Sequence, residues 1–125
     1  MFVSQSACSP AAPLAHWREA IRQTFVDLDL VWPGGESSRT AMARGRAAID
    51  ALLARPEGAP VAVTHGNLMT LILRSFAPQF GFQTWECLSN PDVYCIAVQG
   101  ERVEISRTWV PSLTAPGRSG GAHPV

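Results

Sequence analysis

The sequence predicts an α/β fold, and three observations carry that prediction. Two early segments repeat apolar residues at helical spacing, one short run is continuously apolar, and two strand-like segments flank a glycine turn. The resulting order is helix, helix, strand, helix, strand, strand. At 125 residues the chain suits one domain.

Residues 1–13 are rich in Ser, Ala and Pro and predict an irregular N-terminus. A helix is expected from about Leu14 to Asp27. Leu14, Trp17, Ile21 and Phe25 form its apolar stripe, and Arg18, Glu19, Arg22 and Gln23 its polar face. Trp32-Pro33-Gly34-Gly35 ends that segment. A second helix is expected from Ser38 to about Ala54, with Ser37 as N-cap and Pro56 beyond its end. Its stripe is Met42, Gly45, Ile49, Leu52 and Leu53, and Gly45 within the stripe predicts a close contact with a neighbouring element.

Pro60 to Thr64 reads as a strand buried on both faces, as in a parallel sheet. His65-Gly66-Asn67 ends it, and Leu68 to Phe76 reads as a helix limited by Pro78. Gly81 to Pro91 is expected to be a connector. Asp92–Val98 and Val103–Trp109 read as strands joined through Gln99-Gly100-Glu101. From Pro111 onward, residues 111–125 read as a disordered tail. One central-type strand and one hairpin make a small sheet, short of a neighbouring strand.

The composition narrows the function classes. The chain is 46% hydrophobic with net charge zero, which supports a core and argues against nucleic-acid or anionic-membrane partners. All ten basic residues are arginine, so lysine chemistry is excluded. Cys8, Cys87 and Cys95 form neither a disulfide framework nor a zinc site, and a cytoplasmic location is expected. Cys95 is expected to be a small buried hydrophobe. No apolar run approaches the roughly 20 residues of a membrane span, and no signal peptide is expected.

His65 stands where α/β sheets place ligands, at the C-terminal end of a strand. Gly66 permits close backbone approach, and amides at the next helix start favour an anion. His65 could therefore donate to phosphate or shuttle a proton, or it could simply occupy a strand–helix turn. Glu36, on the Pro33–Ser38 loop before a helix, could serve as a general acid or base, or merely complement the helix dipole. Arg39, Arg44 and Arg46 read as a solvated helix face from which one could turn toward an anion. His16 is expected to be solvated, and His123 lies in the tail.

Taken together, Pro33-Gly-Gly-Glu-Ser-Ser38, Arg44, Val61-Ala-Val-Thr-His-Gly-Asn-Leu68 and Trp85-Glu-Cys-Leu-Ser-Asn-Pro-Asp-Val93 resemble the histidine phosphatase (phosphoglycerate mutase-like) superfamily. The order of these segments, and the spacing of about thirty residues between acid and histidine, are similar to the family's. The resemblance covers roughly residues 10 to 110.

The resemblance implies a three-layer phosphoglycerate mutase-like fold with a small, mostly parallel sheet and a C-terminal hairpin, here N-terminally truncated and occupying residues 14–110. It implies phosphomonoester hydrolysis through a phosphohistidine, with cationic side chains and no metal or other cofactor. Glu36 matches the general acid. His65, preceded by Thr64 and not by arginine, matches the second histidine, which holds phosphoryl oxygens. Gly66 and Asn67 match the backbone that contacts phosphate.

The family's nucleophilic histidine lies in an Arg-His-Gly motif that is absent from these 125 residues. It is expected to lie before Met1, so the chain as written is expected to be inactive. Three readings follow: the C-terminal portion of an active phosphatase, a degenerate domain that binds phosphorylated ligands or a partner, or an unrelated small α/β binding module. The expected partner is a phosphorylated small molecule, with neither nucleic acid nor membrane. Homo-oligomerisation is expected through an exposed sheet edge beside Val61–Val63.

Overall fold

The structure is a computed structural model that describes residues 2–3 and 14–109, with side chains described from residue 16 onward. The expected disordered tail, most of the expected irregular N-terminus, Cys8 and His123 lie outside the described residues. In chain order the elements are β1 (Phe2–Val3), α1 (Leu14–Val26), α2 (Ser38–Leu53), β2 (Val63–Thr64), α3 (Gly66–Phe76), α4 (Phe82–Glu86), β3 (Tyr94–Gln99) and β4 (Arg102–Arg107). Helices and short strands are interspersed along the chain, consistent with an α/β fold.

The centre of the molecule is α3. Met69, Thr70, Leu71, Ile72 and Leu73 are all buried, so this helix is enclosed around its circumference and not on one stripe. Thr70 satisfies its hydroxyl inside the core by donating to the Gly66 carbonyl at 2.9 Å. One side of α3 meets α2. A Cβ added at Gly45 would lie 2.6 Å from Ile72 Cγ1 and 3.1 Å from Leu68 Cδ1. The small residue in the α2 stripe is therefore what lets the two helices approach. Arg46 fastens their far ends. Its Nη1 donates to the Ser75 carbonyl at 2.9 Å, and its guanidinium lies 3.8 Å from the Phe76 ring centroid.

Another side of α3 is covered by the hairpin. Met69 and Leu73 pack with Phe80, Leu88, Tyr94, Ile96 and Ile105. β3 and β4 are antiparallel from Tyr94↔Arg107 to Gln99↔Arg102. Gly100 makes the turn with φ +62, followed by a residue of negative φ, the pattern of a type II′ hairpin turn. The hairpin's base is clamped by Asp92, which is fully buried. Arg107 grips both carboxylate oxygens, at 3.0 Å and 2.6 Å, while the Ser89 and Val93 amides each donate at 2.9 Å.

Some sequence expectations need correction. Val61 and Val63 are 74% and 67% exposed, so the apolar run is not a strand buried on both faces. Regular pairing is limited to β2, which bonds in parallel to β1 at Phe2↔Val63 and Val3↔Thr64. β1 itself falls in the stretch expected to be irregular, because its two residues find a strand to pair with. Among the described residues the strands form two separate two-stranded sheets, β1–β2 parallel and β3–β4 antiparallel. Cys95 is exposed, because strand alternation turns Tyr94 and Ile96 toward α3 and Cys95 away. The expected connector contains α4, whose start is tied by the Gly81 amide donating to Thr84 Oγ1 at 3.1 Å.

Among the described residues no helix is long and apolar enough to cross a membrane.

Candidate active site

The loop before α2 is built by its own sequence. Trp32-Pro33-Gly34-Gly35 is a turn closed by the Gly35 amide donating to the Trp32 carbonyl at 2.9 Å. Pro33 supplies the fixed φ of its second position, and Gly34, at φ +81, supplies the left-handed third, the signature of a type II turn. Glu36 follows at once. Ser37 then caps α2 by accepting from the Thr40 amide at 3.1 Å. The loop's other end is held by the Arg39 amide donating to the Leu28 carbonyl at 2.9 Å and by Arg39 paired with Asp29 at 2.7 Å. Glu36 is thus fixed between a turn and a helix cap.

On the other side, β2 delivers His65 as the N-cap residue of α3, with φ −100 and ψ 157. Its carbonyl accepts the first helical bond, from the Met69 amide at 2.8 Å, and its side chain does not cap the helix. The first-turn amides of α3 have no intrahelical acceptor, and His65 and Asn67 at that helix start both line one cleft.

These two pieces meet. A cleft of about 750 Å³ is lined by Glu36 and Ser37 from the loop and cap, Arg44 from α2, and His65 and Asn67 at the start of α3. Trp17, Ile21 and Thr24 from α1, Trp32 from the turn, Ser38 and Ala41 from α2, and Leu68 and Leu71 from α3 also line it. The volume is that of a small-molecule site. The α2–α3 contact at Gly45 explains the convergence, because Arg44 precedes Gly45 and Leu68 touches it.

Arg44 Nη2 donates to Glu36 Oε1 at 2.5 Å. The hydrogen bond and charge of Glu36 raise the Arg44 pKa above its usual value, so the guanidinium stays charged. Of the three arginines on the second helix, Arg44 alone lines the cleft, while Arg39 and Arg46 serve the loop and α3. Of the four site residues expected from sequence, the cleft contains Glu36, His65 and Asn67 in its lining; Gly66 opens α3 beside it. His16 is on the exposed face of α1 as expected. Trp17 and Trp32 share the wall although no spacing rule ties residues 17 and 32 together.

Fold and cleft together define an α/β protein with a carboxylate, an arginine and a histidine gathered at a helix start. The model of the histidine phosphatase superfamily (branch 1) matches residues 9–110, and the chain belongs to that superfamily. No curated protein and no solved structure matches it.

Proposed function

We propose that this chain carries the acid and second-histidine portion of a histidine phosphatase site, acting on a phosphorylated small molecule. The observation that supports it best is that Glu36 and His65, about thirty residues apart, line one cleft with Arg44. In this reading His65 and the first-turn amides at Gly66 and Asn67 hold the phosphoryl oxygens, and the α3 dipole adds to their pull. Glu36, displaced from Arg44 by the phosphoryl group and protonated from the monoester monoanion, gives that proton to the leaving oxygen. Arg44, already charged and hydrogen-bonded to Glu36, is the cation placed to share that partner with an incoming phosphoryl group. The three-layer arrangement with a mostly parallel sheet, and a cytoplasmic location, belong to the same proposal.

The 125 residues hold no Arg-His-Gly. In this reading the chain by itself binds phosphate without turning over a monoester, because no described residue of the cleft matches the nucleophile that would take the phosphoryl group. A phosphate-binding domain without catalysis is the second reading that this absence favours.

Calorimetric titration with inorganic phosphate, with His65→Ala as control, tests the site. Binding lost in the variant is the expected result, and binding equal in both overturns the assignment. Incubation with p-nitrophenyl phosphate at mildly acidic pH tests the lack of turnover. Nitrophenol release that His65→Ala abolishes would overturn it.

A further inference from the structure

The cleft is much larger than a phosphoryl group, and its surplus has a definite chemistry. Among the described residues that line it, the charged side chains are Glu36 and Arg44, and they neutralise each other across 2.5 Å. A nucleoside polyphosphate or a bisphosphate brings several negative charges, and one already paired arginine cannot offset them. The rest of the wall is mainly apolar, with Trp17, Ile21, Trp32, Leu68 and Leu71, and Thr24, Ser37 and Ser38 are its polar minority away from His65 and Asn67. A polar sugar or glycerate body would lose hydration there and regain few hydrogen bonds.

Trp17 is braced by another ring before any ligand arrives, and Trp32 is carried on a closed backbone turn. Trp17 meets Trp85 edge-on, with centroids 5.6 Å apart and planes at 77°. Trp85 stacks in turn on Phe82 at 5.5 Å. Trp32 begins the type II turn that precedes Glu36, and it is 45% exposed at the cleft. An exposed indole on a hydrogen-bonded turn offers a preorganised apolar face at small entropic cost.

We infer that the cleft selects a phosphate monoester whose organic part is an uncharged, flat aromatic or otherwise apolar group, with Trp17 and Trp32 as the residues that determine this specificity. The inference rests on the phosphate reading of His65 and Glu36. It adds the class of the group that the phosphate is attached to.

The test compares four probes on the full chain by calorimetric titration: 1-naphthyl phosphate, glycerol 1-phosphate, inorganic phosphate and 1-naphthol. The expected result is 1-naphthyl phosphate binding about tenfold more tightly than either glycerol 1-phosphate or inorganic phosphate, the size of one good aromatic contact. Trp32→Ala, and separately Trp17→Leu, should bring that ratio toward one, with circular dichroism checking that each variant is folded. Glycerol 1-phosphate binding as tightly as 1-naphthyl phosphate overturns the specificity inference. The phosphate reading survives that outcome if His65→Ala weakens both ligands. 1-Naphthol binding as tightly as its phosphate, with no binding of inorganic phosphate, overturns both readings. So does no binding of any probe.

Discussion

Arg44 Nη2 and Glu36 Oε1 lie 2.5 Å apart across eight residues of sequence, joining the first turns of α2 to the loop that precedes it. Both side chains line the cleft that His65 enters. The pair is also well exposed, at 59% and 41%, so its value to folding is small. Its position suits recognition more than stability. Arg44→Gln should leave the urea midpoint unchanged and weaken inorganic phosphate binding about tenfold, as expected for losing a charge-assisted hydrogen bond. Calorimetric titration and urea unfolding measure the two effects. Full phosphate affinity in the variant would remove Arg44 from the site.

Gly45 sets the distance between α2 and α3. Alanine favours a helix interior by about 1 kcal/mol, but its Cβ would stand 2.6 Å from Ile72 Cγ1. Overpacking of that kind costs about 1–3 kcal/mol, so Gly45→Ala should be destabilising on balance. The same substitution in an Ile72→Ala background should cost less, because the obstructing atom is gone. A double-mutant cycle by urea unfolding reads this coupling, and additive effects would show that the contact is relieved elsewhere.

Asp92 is the stability counterpart of the cleft. Burial pushes its carboxyl pKa up, yet the Arg107 hydrogen bonds and the Ser89 and Val93 amides outweigh burial and hold it below the usual 3.8. The folded state therefore binds this proton less readily than the unfolded state. The stabilisation is complete above the unfolded value, and it is lost as pH falls through 3.8 toward the lower folded value. Asp92→Asn should cost about 3 kcal/mol near neutral pH, where it leaves Arg107 short of its charge partner, and should flatten the acid limb of stability. Glu19 and Asp29 are also lowered, mainly by hydrogen bonds to Arg22 and Arg39. Their pairs are exposed, so high salt should weaken their part of the acid limb and spare that of Asp92. Urea midpoints from pH 2.5 to 7, with and without 1 M salt, test the assignment.

The edge at β2 gives the last prediction. Val61 and Val63 are strongly exposed at alternate positions, and among the described residues β2 pairs only with the two residues of β1. Such an edge invites a second chain. Concentration-dependent association is expected at micromolar protein, and Val63→Lys should abolish it. Light scattering after size exclusion would show a monodisperse wild-type monomer if the edge is harmless.

Much of this was legible before the coordinates. α1, α2 and α3 announce themselves by apolar period and by caps. Ser37 caps α2, Gly45 touches its neighbour, and Gly100 turns the hairpin, each for a local stereochemical reason. Glu36 and His65 stood out because each directly precedes a helix. Where the reading failed, the deciding contacts were remote. A continuous apolar run looks the same whether or not neighbours cover it, so the exposure of Val61 and Val63 could not be read. Asp92 and Arg107 are fifteen residues apart, and no period links them. α4 is five residues long, too short to show a period.

By itself, then, the sequence determined the three longer helices, the two turns and the chemical types available at the site, because capping, turn geometry and apolar spacing act over a few residues. It also carried the superfamily resemblance. Only the tertiary structure decided which of those residues share a cleft. The close α2–α3 approach at Gly45 puts Arg44 near the start of α3, and the placement of α1 adds Trp17 to the wall. Packing selects such meetings from many that local preference allows, and side-chain volumes distant in sequence decide among them.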